Sequence, residues 1–355
     1  MLVIVIGVLI EGICRYAWYF VLKLARSSAS ELARADAELF ALRDTELALE
    51  QSQLFEGLVE FEAVLTQLEG NPLEPALRTN ALETARQLAS TIQFANSTLA
   101  TARGQVQESA EVSLNEANLQ LEELARINRS LVNTRDGTVG RASLLDARDA
   151  ALRALSEEIG VETSFDERGV IDVRLAGGGP TLLERVNTTP LGATTQPDGT
   201  LAFTVGSTAV TPSSGAIAGQ ASALQAQADF QIQLDAIADQ VITRSNAAQA
   251  SGADADGNPG QALFSGTDAG SIELSLTSPA QLATAPAGSP AGSTNTSNLA
   301  SLIASLGASD GPIAATDTLL LGLSSRISAQ DVTRAGLSAI AQDAQATLAS
   351  QTGVD

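Results

Sequence analysis

The stretch LDARDAALRALSEEIGVETSFDERGVIDVRL, residues 145–175, decides the fold because the spacing of its apolar residues changes within it. Leu145, Leu152, Leu155 and Ile159 recur at helical intervals, as expected for one buried stripe of an α-helix. From Val161 the period drops to two. Val161, Thr163 and Phe165, then Val170, Ile171, Val173 and Leu175, alternate around Asp166 to Gly169, which predicts a β-hairpin. A helical region therefore gives way to strands near residue 160.

Upstream, Leu32, Ala35, Leu39, Leu42 and Leu49 fall on one heptad seam broken at Glu46, and Leu54, Leu58, Phe61, Leu65 and Leu68 continue on a shifted seam. These predict one long helix or two collinear ones. Gly70-Asn71-Pro72 ends the run, and Pro75 stands where a first helical turn tolerates proline. A further helix is predicted to about Asn133, with Leu121 and Leu124 on its seam, and Asp136-Gly137-Thr138 reads as a turn. Downstream of the hairpin, the runs Thr181 to Val186 and Leu201 to Val205 bring the count to four or five short strands in one small sheet. Helical patterning resumes over residues 217–248, and residues 250–298 are rich in Gly, Ala, Ser, Thr and Pro with one strand expected at Ile272 to Leu276. A short helix at 299–306 and a long one at 312–350 complete the chain.

The expected fold class is α+β: a long antiparallel helical bundle, or rod domain, built from both ends of the chain, with an inserted small β-rich domain and a loop-rich subdomain. The boundaries are 1–30 for a strand-helix start, 31–160 for the first part of the rod, 161–215 for the β-rich insert, 216–250 for a helix, 251–311 for the loop-rich subdomain and 312–355 for the second part of the rod. Over the first thirty residues, the apolar β-branched run LVIVIGVLI (2–10) predicts a buried strand before an amphipathic helix. The alternative is a membrane anchor over residues 2–22, of suitable length. It would bury Glu11 and Arg15, at about 2.5 to 3.5 kcal/mol each near the bilayer centre.

Composition narrows the function. The 355 residues include no histidine and one cysteine, Cys14, so the commonest general base and soft metal ligands are missing and no internal disulfide can form. A net charge of -21 opposes binding to nucleic acid phosphates. The segment Asp254-Ala255-Asp256-Gly257-Asn258 starts like a calcium loop, but Pro259 occupies the glycine position and Ser265 the place of the closing Glu, so a turn is expected. Gly177-Gly178-Gly179-Pro180 lacks the Lys-Ser/Thr of a phosphate loop. Adjacent acidic pairs such as Glu122-Glu123 and Glu157-Glu158 do not face each other on a helix. Lys23, the sole lysine, is the one partner available for Ser-Lys chemistry. No catalytic residue, no metal, no cofactor and no small-molecule substrate are expected.

At SLLDARDAALRALSEEIGV (143–161), with Leu144, Leu145, Asp146, Arg148 and Asp149 in an LLD-x-RD pattern, the chain resembles the family of flagellar hook-filament junction proteins, hook-associated protein 1 of the FlgK type. Further stretches agree in order: LEGNPLEPALRTNALETARQLA (68–89), ITRSNAAQASGADADGNPGQALFSG (242–266), ASQTGVD (349–355) and GVLIEGICRYAWYFVLKLARSSASEL (7–32), in which Trp18 departs from the usual acidic residue. The resemblance implies a central fragment lacking the family's terminal assembly helices. It implies a structural protein joining hook to filament by subunit packing, extracellular in the flagellum and exported by the flagellar secretion apparatus. The partners implied are the hook protein, the second junction protein and further copies of itself, together with an export chaperone whose usual terminal site has no counterpart here. Leu32, Leu39, Leu54, Leu58, Leu65, Leu121 and Leu124 are then expected to hold the rod domain, with the 161–215 sheet facing outward. The competing reading is a membrane-anchored coiled-coil structural protein using residues 2–22 as its span.

Overall fold

Between Leu49 and Leu54 the apolar spacing is one residue longer than a heptad seam allows, and there the first helix ends. The computed structural model describes the backbone of residues 2–352 and the side chains of residues 21–350. Helix α1 (Leu2–Ser52) and helix α2 (Leu54–Gly70) are separated by Gln53 alone, which takes φ 54 and ψ 35, the left-handed region. One residue out of helical phase absorbs the shift between the seams.

The strand expected over residues 2–10 is helix instead, the start of α1. Once a long helix is nucleated downstream, each added residue gains a backbone hydrogen bond without a new nucleus. Against that, a β-branched residue costs roughly 0.7 kcal/mol or less. The side chains of the alternative membrane span, up to residue 20, lie outside those described, as do Trp18 and the family-like end Gly353-Val354-Asp355. Among the described residues no helix is long and apolar enough to cross a membrane.

Helix α3 (Pro75–Asn133) follows a turn in which Asn71 accepts from Glu74, and α4 (Val139–Glu158) is capped by Thr138, whose hydroxyl accepts from the Arg141 amide at 3.3 Å. Seven strands then form two antiparallel sheets rather than the one small sheet expected. The first, β1 (Val161–Phe165), β2 (Ile171–Leu175), β3 (Thr181–Glu184) and β4 (Asn187–Thr188), contains the predicted hairpin, with Val161 opposite Leu175 and Phe165 opposite Ile171. The second is β5 (Leu191–Thr195), β6 (Leu201–Val205) and β7 (Thr208–Val210). Strand β5, LGATT, has too few large apolar residues to announce itself, and pairing to β6 defines it. Helix α5 (Ala216–Ala250) leads to four two-residue strands, β8 (Gly252–Ala253), β9 (Phe264–Ser265), β10 (Glu273–Leu274) and β11 (Ala285–Pro286), then α6 (Ser297–Leu306) and α7 (Pro312–Thr352).

The chain divides into two compact units, and the long helices contribute to both. The first comprises Met1–Leu42, Gly104–Gln225 and Ile327–Asp355. Here α5 runs parallel to α1, so close that a Cβ on Gly219 would stand 2.2 Å from the Arg34 carbonyl oxygen. Helix α7 runs antiparallel to α1, with Gln330 donating to Glu38 at 3.3 Å and Arg334 to Asp36 at 2.6 Å. Leu114, Leu121 and Leu124 of α3 and Leu152 and Leu155 of α4 share one core with Ile171, Val173, Leu183, Phe203 and Val205 of the sheets.

The second unit comprises Arg43–Arg103 and Ala226–Arg326. Phe61 of α2 meets Phe264 of β9 edge to face, with ring centroids 6.2 Å apart. Its loop-rich part carries two strand pairs, β8 with β11 and β9 with β10. Asn246 binds both sides of Phe264, accepting from its amide at 3.0 Å and donating to its carbonyl at 2.8 Å.

Candidate functional site

In the first unit the sheets are seated on α3 by side-chain amides that act as backbone partners. Asn128, fully buried, donates from Nδ2 to the carbonyls of Ile171 and Arg185 at 2.8 and 2.5 Å and accepts from the Ile171 amide at 3.1 Å. Asn118 holds Leu191 the same way, accepting from its amide and donating to its carbonyl, both at 2.9 Å. Gln107 donates to the Gly199 carbonyl at 2.7 Å in the β5–β6 turn. Residues 107, 118 and 128 recur roughly every three turns of a 3.6-residue helix, so one face of α3 receives both sheets.

The LLD-x-RD motif seats the hairpin from the other side. Arg148 is buried and donates from Nη1 to the Gly169 carbonyl at 2.9 Å, while its Cζ lies 5.0 Å from the centre of the Phe165 ring. Its charge is met by Asp149, with Nη2 2.7 Å from Oδ1. Gly169 has φ +73, and a Cβ there would lie 2.9 Å from Leu145 and 3.1 Å from the Arg148 guanidinium. The turn is completed by Asp166, whose carboxylate accepts from the Arg168 and Val170 amides at 2.9 Å each. Leu144 and Leu145 pack half-buried against Ile127, Leu131 and Val170, whereas Asp146 is exposed. Arg141, which no sequence pattern singled out, donates to the carbonyls of Leu131, Thr134 and Arg168 and so ties α3, the turn after it and the hairpin tip together.

The other residues expected to matter divide between the units. Leu39, Leu121 and Leu124 are buried in the first, with Leu32 half-buried; Leu54, Leu58 and Leu65 are buried in the second. In the second unit Arg78 does for the loops what Asn128 does for the sheets. It is 3% exposed and donates to the carbonyls of Pro72, Pro279 and Leu282 and to the Thr284 hydroxyl. Burial lowers its pKa, and the carboxylates of Asp254 and Asp256 act in the opposite direction. Asp254 itself closes a turn, its Oδ1 accepting from the amides of Asp256 and Asn258 at 2.9 and 2.8 Å. Among the described residues no group of three His, Cys, Asp or Glu is placed to hold a metal ion.

Exposed apolar residues on the helices of the first unit include Val112 and Leu119 of α3, one heptad apart, Phe40 of α1, and Val332 and Ile340 of α7. Rigid helices hold two small sheets by many backbone contacts and leave scattered apolar residues for other surfaces.

Residues 43–264, more than half of the chain, match the family described as flagellar hook-associated protein FlgK, helical domain. The fold is similar to the structure of the flagellar hook junction protein FlgK from Burkholderia pseudomallei, with a TM-score of 0.61 and 21% sequence identity over 68% of this chain and 46% of that one. The chain thus corresponds to less than half of that protein's length. No curated protein matches the sequence.

Proposed function

Since the chain belongs to the flagellar hook-associated protein FlgK family, we propose that it joins hook to filament in the bacterial flagellum by subunit–subunit packing. The family is structural rather than enzymatic. The single observation that carries the proposal is the match over residues 43–264, which takes in the later part of α1, all of α2 to α4, both sheets and α5. In this reading the protein is exported by the flagellar secretion apparatus and lies outside the cell at the junction. It contacts the hook protein, a second junction protein and its own copies.

Leu32, Leu39, Leu54, Leu58, Leu65, Leu121 and Leu124 hold its helical domain, with residues 161–215 facing outward as an insert. Val112, Leu119, Val332 and Ile340 supply apolar contacts between subunits, because each stands exposed on a long helix. The test is complementation of a flagellated strain lacking its own junction protein. Expression of this chain, given the terminal segments of that strain's own junction protein, should restore filaments on the hooks, and the Val112→Asp, Leu119→Asp version that is secreted and folded should not. Filaments restored equally by both, or by neither, would overturn the assignment of these contacts; junction proteins found by immunogold elsewhere than at the hook end would overturn the function itself.

A further inference from the structure

Within the first unit a cleft of about 410 Å³ opens between α1, the end of α4 and β1, lined by Lys23, Arg26, Ser27, Ser30, Ser156, Gly160, Glu162, Thr163 and Ser214 among others. Its chemistry runs against that of the chain. In a sequence with 41 acidic and 20 basic residues, the lining places two cations, Lys23 and Arg26, one helical turn apart on α1, against a single exposed carboxylate, Glu162. Neither cation forms an ion pair among the described residues. Asp149, whose charge acts on Arg26, is already engaged by Arg148 at 2.7 Å. Arg26 is held in place by a hydrogen bond from Nη2 to the Thr163 hydroxyl at 3.0 Å, which orients the guanidinium.

A second feature is independent of charge. Ser30 is 3% exposed, lines the cleft, and its hydroxyl has no hydrogen-bond partner among the described residues. A buried hydroxyl left unpaired is costly. A serine in a helix commonly satisfies itself on the carbonyl four residues back, as Ser156 does on Leu152 at 2.7 Å across the same cleft. Ser30 does not.

We propose that this cleft is a binding site for an oxyanion, received by Lys23 and Arg26 and hydrogen-bonded by the Ser30 hydroxyl. An anionic oxygen would meet two charge-assisted donors and supply the acceptor that Ser30 lacks. Burial lowers the pKa of Arg26, with Arg148 adding to the effect and Asp149 opposing it; an anion in the cleft would offset that cost. Sulfate or phosphate free in solution, and a carboxylate presented by a second copy of this acidic chain, share this chemistry.

The probe is inorganic phosphate, then sulfate, titrated calorimetrically into the full chain at constant ionic strength, with sedimentation velocity at the same concentrations. Saturable heat is expected, weakened at least about tenfold in Arg26→Ala, as for loss of a hydrogen bond to a charged group, and several-fold in Ser30→Ala. Binding without a change in sedimentation identifies the free ion; binding that dissociates a self-associated chain identifies the carboxylate of a second copy. Ser30→Ala removes one oxygen and should fold even if Arg26→Ala does not. No heat with the parent chain, or equal heat with Ser30→Ala and Lys23→Ala, overturns the proposal. The titration does not depend on flagellar assembly, so its outcome is separate from that of the complementation test.

Discussion

Asn128 of α3 and Ile171 of β2 exchange two hydrogen bonds, the side-chain amide donating to the Ile171 carbonyl at 2.8 Å and its oxygen accepting from the Ile171 amide at 3.1 Å, so a helix side chain takes the place of a neighbouring strand at the end of β2, beyond its pairing with β3. The third bond, to the Arg185 carbonyl, secures a turn in which Arg185 sits at φ 54. Asn128→Leu keeps the volume but strands the two buried backbone groups of Ile171, each costing about 1 to 3 kcal/mol, and frees the part-buried Arg185 carbonyl. The expected loss is at least about 2 kcal/mol, read as a lower urea midpoint, with the far-ultraviolet β signal melting ahead of the helical one.

Gly219 sets the distance between α1 and α5. With the Arg34 carbonyl 2.2 Å and the Ala37 Cβ 3.0 Å from where its own Cβ would stand, Gly219→Ala must push two helices apart. The gain in helix propensity, about 1 kcal/mol, is outweighed by overpacking of roughly 1 to 3 kcal/mol or more. Thermal unfolding should show net destabilisation, opposite in sign to Gly104→Ala, where nothing lies within 4 Å.

Gln53 occupies the left-handed region at the α1–α2 junction, where a side chain costs roughly 1 to 2 kcal/mol. Gln53→Gly should therefore stabilise the chain by up to about 1 kcal/mol, after the greater freedom of glycine in the unfolded state is subtracted. Gln53→Pro should do the reverse, since it cannot take this φ and removes the donor to the Glu50 carbonyl. Urea midpoints of the two variants on opposite sides of the parent would bear this out.

Glu158, half-buried at the end of α4, has its pKa raised by burial and by Glu116 and Glu157, against a hydrogen bond from Ser113. A carboxyl that holds its proton more tightly folded than unfolded makes stability fall as pH rises above the unfolded value of about 4.3. Glu158→Gln should remove that part of the slope and be the more stable chain at neutral pH. Urea unfolding between about pH 4 and 7 measures it, and parallel curves for the two proteins would contradict it.

The local periodic part of this fold was legible in residues alone. Heptad seams at 32–49 and 54–68, the change to period two at Val161 and the turn at Asp166 to Gly169 each depend on neighbours a few positions apart, and the helices and first hairpin follow them. Local propensity misled at residues 2–10, where β-branched residues joined a helix already nucleated downstream, and fell silent at β5, whose small residues become a strand through β6 and Asn118. The LLD-x-RD motif was visible as a pattern, but not its purpose. Only the folded chain brings Arg148 and Leu145 against Gly169, Asn128 against Ile171, and Arg78 against carbonyls some two hundred residues away. An Asn or Arg in a helical sequence carries no sign of which distant carbonyl it will meet, because such bonds are chosen by what burial leaves unpaired once the helices have packed. Sequence periodicity thus determined which segments are helices and where strands begin, while tertiary packing decided which polar side chains hold them together.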